Sequence, residues 1–165
     1  MPTVLVLRHG KSDWDAEYHS DIDRPLAKRG RRAAKTIGRY LADVGPEPTL
    51  AMTSPASRAR DTLERVLEVA GFDCPVRIVE SFYGKGTEAV LDDLRSLDES
   101  FESVLVVGHE PTWSDLIATL TGSHVRFPTA ALARIDLDEP WAGLDGCCAT
   151  LTKLVLPREL EASGC

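Results

Sequence analysis

The sequence predicts an α/β fold of three layers, with helices on both faces of a mostly parallel central sheet of about six strands. Three observations carry this expectation. Short apolar runs alternate with longer amphipathic stretches four times, the pattern of strand–helix units joined by right-handed crossovers. The chain has 165 residues, enough for one domain to bury a core without disulfides or metals. The last two apolar runs have no helical stretch between them, which places an antiparallel pair at one edge.

Thr3 to Leu7 is short, apolar and β-branched and stops at Arg8-His9-Gly10, so it reads as a buried strand. Residues 26–44 read as a helix, with Ala33, Ala34, Ile37, Tyr40, Leu41 and Val44 at helical spacing and Gly45-Pro46 as its stop. Leu50 to Thr53 is a second strand, and Ser54-Pro55 reads as a cap with proline at the first helical position. The helix over 56–70 turns Ala59, Leu63, Val66, Leu67 and Ala70 inward and ends at Gly71. Val76 to Val79 is the third strand, and a helix over 87–97 follows with Val90, Leu91, Leu94 and Leu97 on its inner face. Val104 to Val107 is the most apolar strand and ends at Gly108-His109, before a helix over 111–121 that again opens on proline. Leu132 to Leu137 and Ala149 to Leu156 read as strands joined by a Gly- and Trp-containing loop. Residues 1–165 are read as a single domain, with weak order expected from Pro157 onward.

Lys and Arg number 19 against 26 Asp and Glu, a formal charge of -7. No basic stripe offers itself to nucleic acid, and any anion site must be built locally against the global field. The apolar start of the chain is too short for a signal segment, and no run approaches the roughly 20 residues that span a bilayer. A cytoplasmic location with no membrane partner is therefore expected. Cys74, Cys147, Cys148 and Cys165 match no metal or redox spacing and read as reduced thiols.

In an open α/β sheet, the carboxyl ends of the strands line the functional crevice. Three strands end on chemically loaded residues: Arg8-His9, Ser54-Pro55 with Arg58 one turn on, and Gly108-His109. Two imidazoles and two guanidiniums would then meet at one rim. Arginine is a permanently charged fork suited to bidentate phosphate contacts. Helix N-termini after Ser54 and Glu110 would add N–H donors and positive dipole ends. A neutral imidazole, with its ordinary pKa near ~6.5, is a competent nucleophile toward phosphorus. Each residue alone reads as a solvated loop group; the coincidence of four at three strand ends is what points to a phosphoryl site.

These residues resemble a known family. Leu7-Arg8-His9-Gly10-Lys11-Ser12 is similar to the RHG signature of the histidine phosphatase (phosphoglycerate mutase-like) superfamily. Thr53-Ser54-Pro55 with Arg58-Ala59 and Thr62 resembles its second motif, and Val107-Gly108-His109-Glu110-Pro111 its second-histidine motif. Lys11-Ser12-Asp13-Trp14, Asp23-Arg24-Pro25-Leu26 and Arg29-Gly30 are most similar to the small phosphohistidine phosphatase, or SixA-type, branch. The resemblance implies a phosphoglycerate mutase-like fold and a metal-independent phosphatase. His9 is expected to attack phosphorus and form a phosphohistidine intermediate, with Arg8, Arg58 and His109 holding the phosphoryl oxygens. It implies no cofactor. Where many members carry Asn a few residues after RHG, this chain has Asp15, which is expected to point away from the site.

The substrate is expected to be phosphohistidine on a protein. The alternative is a small phosphate ester, for which Glu80 matches the position of a general acid; Glu88 is a poorer candidate on a helix surface. Only about 24 residues separate the third and fourth strands, room for one helix and no large lid. A monomer is preferred. A zinc hydrolase fails because Trp113 occupies the closing position of His109-Glu110-x-x-x. His19 and His124 read as solvent-facing, and Gly84-Lys85-Gly86-Thr87-Glu88-Ala89 as a chance nucleotide-loop match. A phosphate-binding adaptor without chemistry is the non-enzyme alternative.

Overall fold

The computed structural model describes residues 1–162. Its elements are β1 (Thr3–Arg8), α1 (Lys28–Val44), β2 (Leu50–Thr53), α2 (Ser57–Ala70), β3 (Val76–Ile78), α3 (Thr87–Arg95), β4 (Ser103–Gly108), α4 (Thr112–Thr121), β5 (Leu132–Leu137), β6 (Ala149–Val155) and α5 (Pro157–Ala162). Short 3-10 turns lie at Asp21–Asp23, Glu80–Phe82 and Trp141–Gly143. The sheet order is β3-β2-β4-β1-β5-β6. The first four strands in space run parallel, and β5 is antiparallel to both β1 and β6. The mixed six-stranded sheet is the expected one, with the antiparallel pair at its edge.

Alternation along the strands separates the two faces. Val4, Val6, Val104 and Val106 face a core closed by α3 and α4, through Leu91, Leu94, Trp113 and Leu116. Leu5, Leu7, Leu105 and Val107 face the other way, onto Ala34, Ile37 and Leu41 of α1 and Ala59, Leu63 and Val66 of α2. Both faces of β1 and β4 are buried, which is why those strands read as unbroken apolar runs. Phe82 meets the Trp113 ring edge-on at 5.1 Å, a contact worth ~0.5–1.5 kcal/mol beyond area burial.

The structure departs from expectation at element ends. Pro55 precedes α2 by two residues, and Ala56 is the N-cap; Ser54 Oγ instead accepts a hydrogen bond from Ala56 N–H at 3.2 Å. Pro111 is the N-cap of α4, one residue before the first helical position. Val44, at helical spacing, is 57% exposed, being the last residue of α1. Residues 157–162 form α5, with Leu160 packed onto the core beneath α1; the rest of the tail for which weak order is expected, 163–165, lies outside the described residues. A single leucine after a proline gives no periodicity from which that docking could be read. Cys74, Cys147 and Cys148 are free thiols; Cys165 lies outside the described residues.

Candidate active site

Arg8 and His9 leave the end of β1, Ser54 the end of β2 and His109 the end of β4, so parallel register alone brings them to one rim. Backbone bonds lock this edge: His9 N–H donates to Gly108 O (3.1 Å), Ser54 N–H to Val107 O (3.0 Å) and Ala130 N–H to His9 O (3.0 Å). Beneath it, Trp113 Nε1–H donates to Leu7 O at 2.9 Å. A Cβ on Gly108 would lie 2.6 Å from that indole, so the strand must end in glycine for the ring to seat.

The loop after His9 is held by close backbone packing. Gly10 N–H donates to Thr62 Oγ1 (3.0 Å), whose hydroxyl donates to Arg58 O (2.7 Å). Gly10 and Gly30 pack backbone to backbone: a Cβ on Gly10 would meet Gly30 O at 2.7 Å, and one on Gly30 would meet Lys11 O at 2.2 Å. The two glycines of the RHG and Arg29-Gly30 segments are thus one packing device joining the loop to α1.

A cleft of about 550 Å³ opens over this rim. It is lined by Arg8, Lys11, Arg24 and Arg58 against the carboxylates of Asp21 and Glu110, a local excess of positive charge in an acidic chain. The His9 and His109 rings lie 5.1 Å apart. His9 is buried, and its Nδ1–H donates to Gly10 O at 2.7 Å, which leaves Nε2 as the uncommitted ring nitrogen. His109 Nε2 shares a 2.7 Å hydrogen bond with Ser54 Oγ, and Tyr83 stands edge-on to its ring at 5.5 Å.

Burial pushes His9 down to about 3, helped by the positive fields of Arg58 and Arg8. Burial, then Arg58, takes His109 down to about 4. Both imidazoles are therefore neutral at physiological pH. Burial also lowers Arg8, with Glu110 opposing. Arg8 Nη1 donates to Phe127 O at 3.1 Å. Arg58 donates to Asp21 O at 2.7 Å and Asp21 Oδ2 at 3.1 Å. The Nε atoms of Arg8 and Arg58 are buried without a partner among the described residues, so each guanidinium keeps unspent donor capacity beside the cleft.

Arg8, His9, Arg58 and His109 are brought together as expected. Glu80 is not with them. It is exposed and does not line the cleft, because the turn Glu80–Phe82 drives Phe82 into the core and leaves Tyr83 and Gly84 at the rim. Asp15 is exposed and also away from the cleft, and Glu88 pairs with Arg95 at 2.8 Å on the surface. His19 and His124 are exposed.

Sequence reasoning missed a group built on Asp21. Its carboxylate, 51% exposed, accepts from Tyr83 Oη (2.6 Å), from Arg58, and from Arg24 through a very short contact. The Tyr83 hydrogen bond, then Arg58, holds Asp21 at about 2. Buried Arg24 also donates to Ser12 Oγ at 3.0 Å and lies 3.6 Å over the Trp14 ring. Ser12, Trp14 and Arg24 lie within Lys11-Ser12-Asp13-Trp14 and Asp23-Arg24-Pro25-Leu26, which the resemblance had marked; Asp21 and Tyr83 carried no such signal. Glu110 is committed elsewhere, accepting from Ser114 N–H and Ser114 Oγ, each at 2.7 Å. Among the described residues no three His, Cys, Asp or Glu side chains are grouped to hold a metal ion.

The chain is similar to known proteins in sequence and in fold. The profile of the histidine phosphatase superfamily (branch 1) matches residues 4–85. An uncharacterized protein of Mycobacterium tuberculosis is 34% identical over 92% of this chain and 100% of its own. Phosphohistidine phosphatase SixA of Escherichia coli K12 is 30% identical over 85% of this chain and 88% of its own. The structure of the protein histidine phosphatase SixA complexed with tungstate superposes with a TM-score of 0.84 at 27% identity, over 96% of this chain and 99% of that one. With the sheet order, the strand-end residues and these full-length matches in agreement, the chain belongs to the histidine phosphatase superfamily, in its SixA-type branch.

Proposed function

We propose that this phosphatase removes the phosphoryl group from phosphohistidine on a protein, through a covalent phosphohistidine on its own His9. The observation that carries the reading is the His9 ring. It is neutral, its Nδ1–H is tied to Gly10 O, and its Nε2 is uncommitted in a cleft framed by guanidiniums. Nε2 donates its lone pair to phosphorus, the bond from phosphorus to the substrate imidazole breaks, and that imidazole, protonated on its other ring nitrogen, leaves neutral with the electron pair of the broken bond. Water then attacks the phosphoryl group on His9, releasing phosphate and returning the ring nitrogen. Arg8 and Arg58 hold the phosphoryl oxygens, and His109, set by Ser54, stands across from His9 to stabilise charge in the transition state.

The preference for a P–N bond rests on the carboxyl inventory of the cleft. An ester needs a proton donor for its poor alkoxide leaving group. Of the two carboxyls at the rim, Asp21 is held ionised by Tyr83 and Arg58, and Glu110 is engaged by Ser114. Glu80 faces solvent. A phosphohistidine ring protonated on its second nitrogen departs as neutral imidazole and needs no such donor from the enzyme.

The test is turnover of a phosphohistidine peptide and of p-nitrophenyl phosphate with EDTA present. His9→Ala should abolish both, mass spectrometry after an alkaline quench should find the phosphoryl adduct on His9, and Glu80→Gln should leave peptide cleavage within about twofold. Loss of turnover on chelation, or no cleavage of the peptide, would overturn the reading. An ester-specific enzyme would instead lose several orders of magnitude on Glu80→Gln.

A further inference from the structure

Next to the cleft lies a second groove, of about 380 Å³, between α1, the segment before β5 and the start of α5. It shares Lys11 and Thr129 with the cleft, so the two are contiguous. Its rim carries Lys11, Arg29, Arg32, Arg126 and Arg158 against the carboxylate of Glu161. All five cations are exposed, and among the described residues none of them enters an ion pair.

Two of these cations sit where helix electrostatics oppose them. Arg29 and Arg32 open α1 beside Lys28 and Arg31, and the first turn holds no acidic residue. The positive end of a helix dipole favours carboxylates and repels cations. Four cations at that end are unfavourable for the isolated helix and attractive to an incoming anion. In a chain of charge -7, this is a local feature against the overall balance.

The floor of the groove differs from its rim. Ala33, Leu156 and Pro157 are buried or half-buried there. Among the described residues no buried polar side chain lies in this lining, so none of them converges to fix a lone phosphate. A rim of separated cations over an apolar floor matches a peptide surface with carboxylates flanking an apolar side chain.

We propose that this groove receives an acidic, amphipathic segment of the phosphoprotein substrate while the phosphohistidine of that protein enters the adjacent cleft. The assignment rests on the phosphohistidine reading above. Carboxylates of the segment would pair with Arg29, Arg32, Arg126 and Arg158, and an apolar side chain would cover Leu156 and Pro157.

The test uses two synthetic phosphohistidine peptides, one flanked by Asp and Glu around a leucine, the other by Ser around the same leucine. The wild type should cleave the acidic peptide with kcat/KM about tenfold higher, a preference that shrinks between low salt and about 0.5 M salt. R29E/R32E, and separately R126E/R158E from the opposite wall, should abolish the preference. Both variants should keep p-nitrophenyl phosphate turnover within about twofold and a wild-type thermal midpoint.

A second readout needs no turnover: anisotropy of the fluorescein-labelled, unphosphorylated acidic peptide, with the cleft filled by tungstate. Equal binding by wild type and R29E/R32E, or equal kcat/KM for the two peptides, would overturn the groove. Displacement of the peptide by equimolar pyrophosphate would overturn the assignment to a protein segment. Groove-dependent binding with no cleavage of either phosphohistidine peptide would overturn the phosphohistidine reading and, with it, the occupant proposed here.

Discussion

The neutral histidines at the centre of the cleft make acid stability a direct test of its electrostatics. In the unfolded chain His9 and His109 would titrate near ~6.5; in the fold they stand at about 3 and about 4. Between those values the unfolded chain binds protons that the native state refuses, so stability rises with pH there. The contribution is fully present above the unfolded value and is lost progressively as pH falls from there toward the folded values. Integrated between pH 7 and pH 5, each imidazole removes roughly 1.8 kcal/mol, together roughly 3–4 kcal/mol. That is a large share of a typical domain stability of ~5–15 kcal/mol. Urea unfolding at both pH values measures the difference by linear extrapolation, against a His9→Gln, His109→Gln double variant that lacks the linkage. The double variant should be flatter with pH by roughly 3–4 kcal/mol over that interval. Imidazole Cε1–H shifts of the free wild type should show neither ring titrating above about pH 5. Equal pH dependence of the two proteins, or either ring titrating near its ordinary value, would refute the burial argument.

Three further outcomes follow from named contacts. Gly30→Ala places a Cβ 2.2 Å from Lys11 O, backbone against backbone, and should cost ~1–3 kcal/mol or more with loss of turnover. Gly143→Ala, whose nearest neighbour is at 3.5 Å, should be silent in the same thermal melt. Asp21→Asn removes the carboxylate that competes with a dianion for Arg58 and Arg24; inhibition by tungstate should tighten several-fold and the gain should fade with salt. An unchanged inhibition constant would mean that Asp21 moves aside at no cost. Trp113→Phe removes the indole donor from Leu7 O, which stays in the β1–β4 ladder, at ~0.5–1.5 kcal/mol for the one hydrogen bond, and should lower kcat as the His9 loop loosens.

The sheet was legible because its strands are extreme cases. β1 and β4 are buried on both faces and read as unbroken apolar runs, and β5 was predicted with the bounds it has. The four strand-end residues were legible because parallel register carries the ends of β1, β2 and β4 to one edge whatever the loops do. The Asp21 group was not. Its contacts span 37 residues to Arg58 and 62 to Tyr83, and the loop that carries it has no hydrophobic period to place its side chains. The placing of Glu80 outside the cleft has a related reason. It follows a strand, as Arg8, Ser54 and His109 do, but β3 is an edge strand whose residues are exposed. The turn beyond it is oriented by Phe82 seeking the core rather than by the sheet. Residue type and spacing identify a rim; they do not say which way a 3-10 turn faces.

The openness of the cleft bears on the leaving group it can serve. Between β3 and β4 the chain spends its residues on one helix, α3, and Val90, Leu91 and Leu94 bury that helix in the core rather than over the cleft. Only Tyr83 and Gly84 of that segment reach the rim. A small ester held without a lid would stay wet, which weakens the electrostatics an alkoxide departure needs. A phosphohistidine side chain arrives with its own protein surface, which can cover the cleft as it docks. On the proposed reading, Arg8 and Arg58 would hold the phosphoryl group of any substrate, whereas Arg29 and Arg32 of α1 and Arg158 of α5 would favour one whose surroundings are acidic.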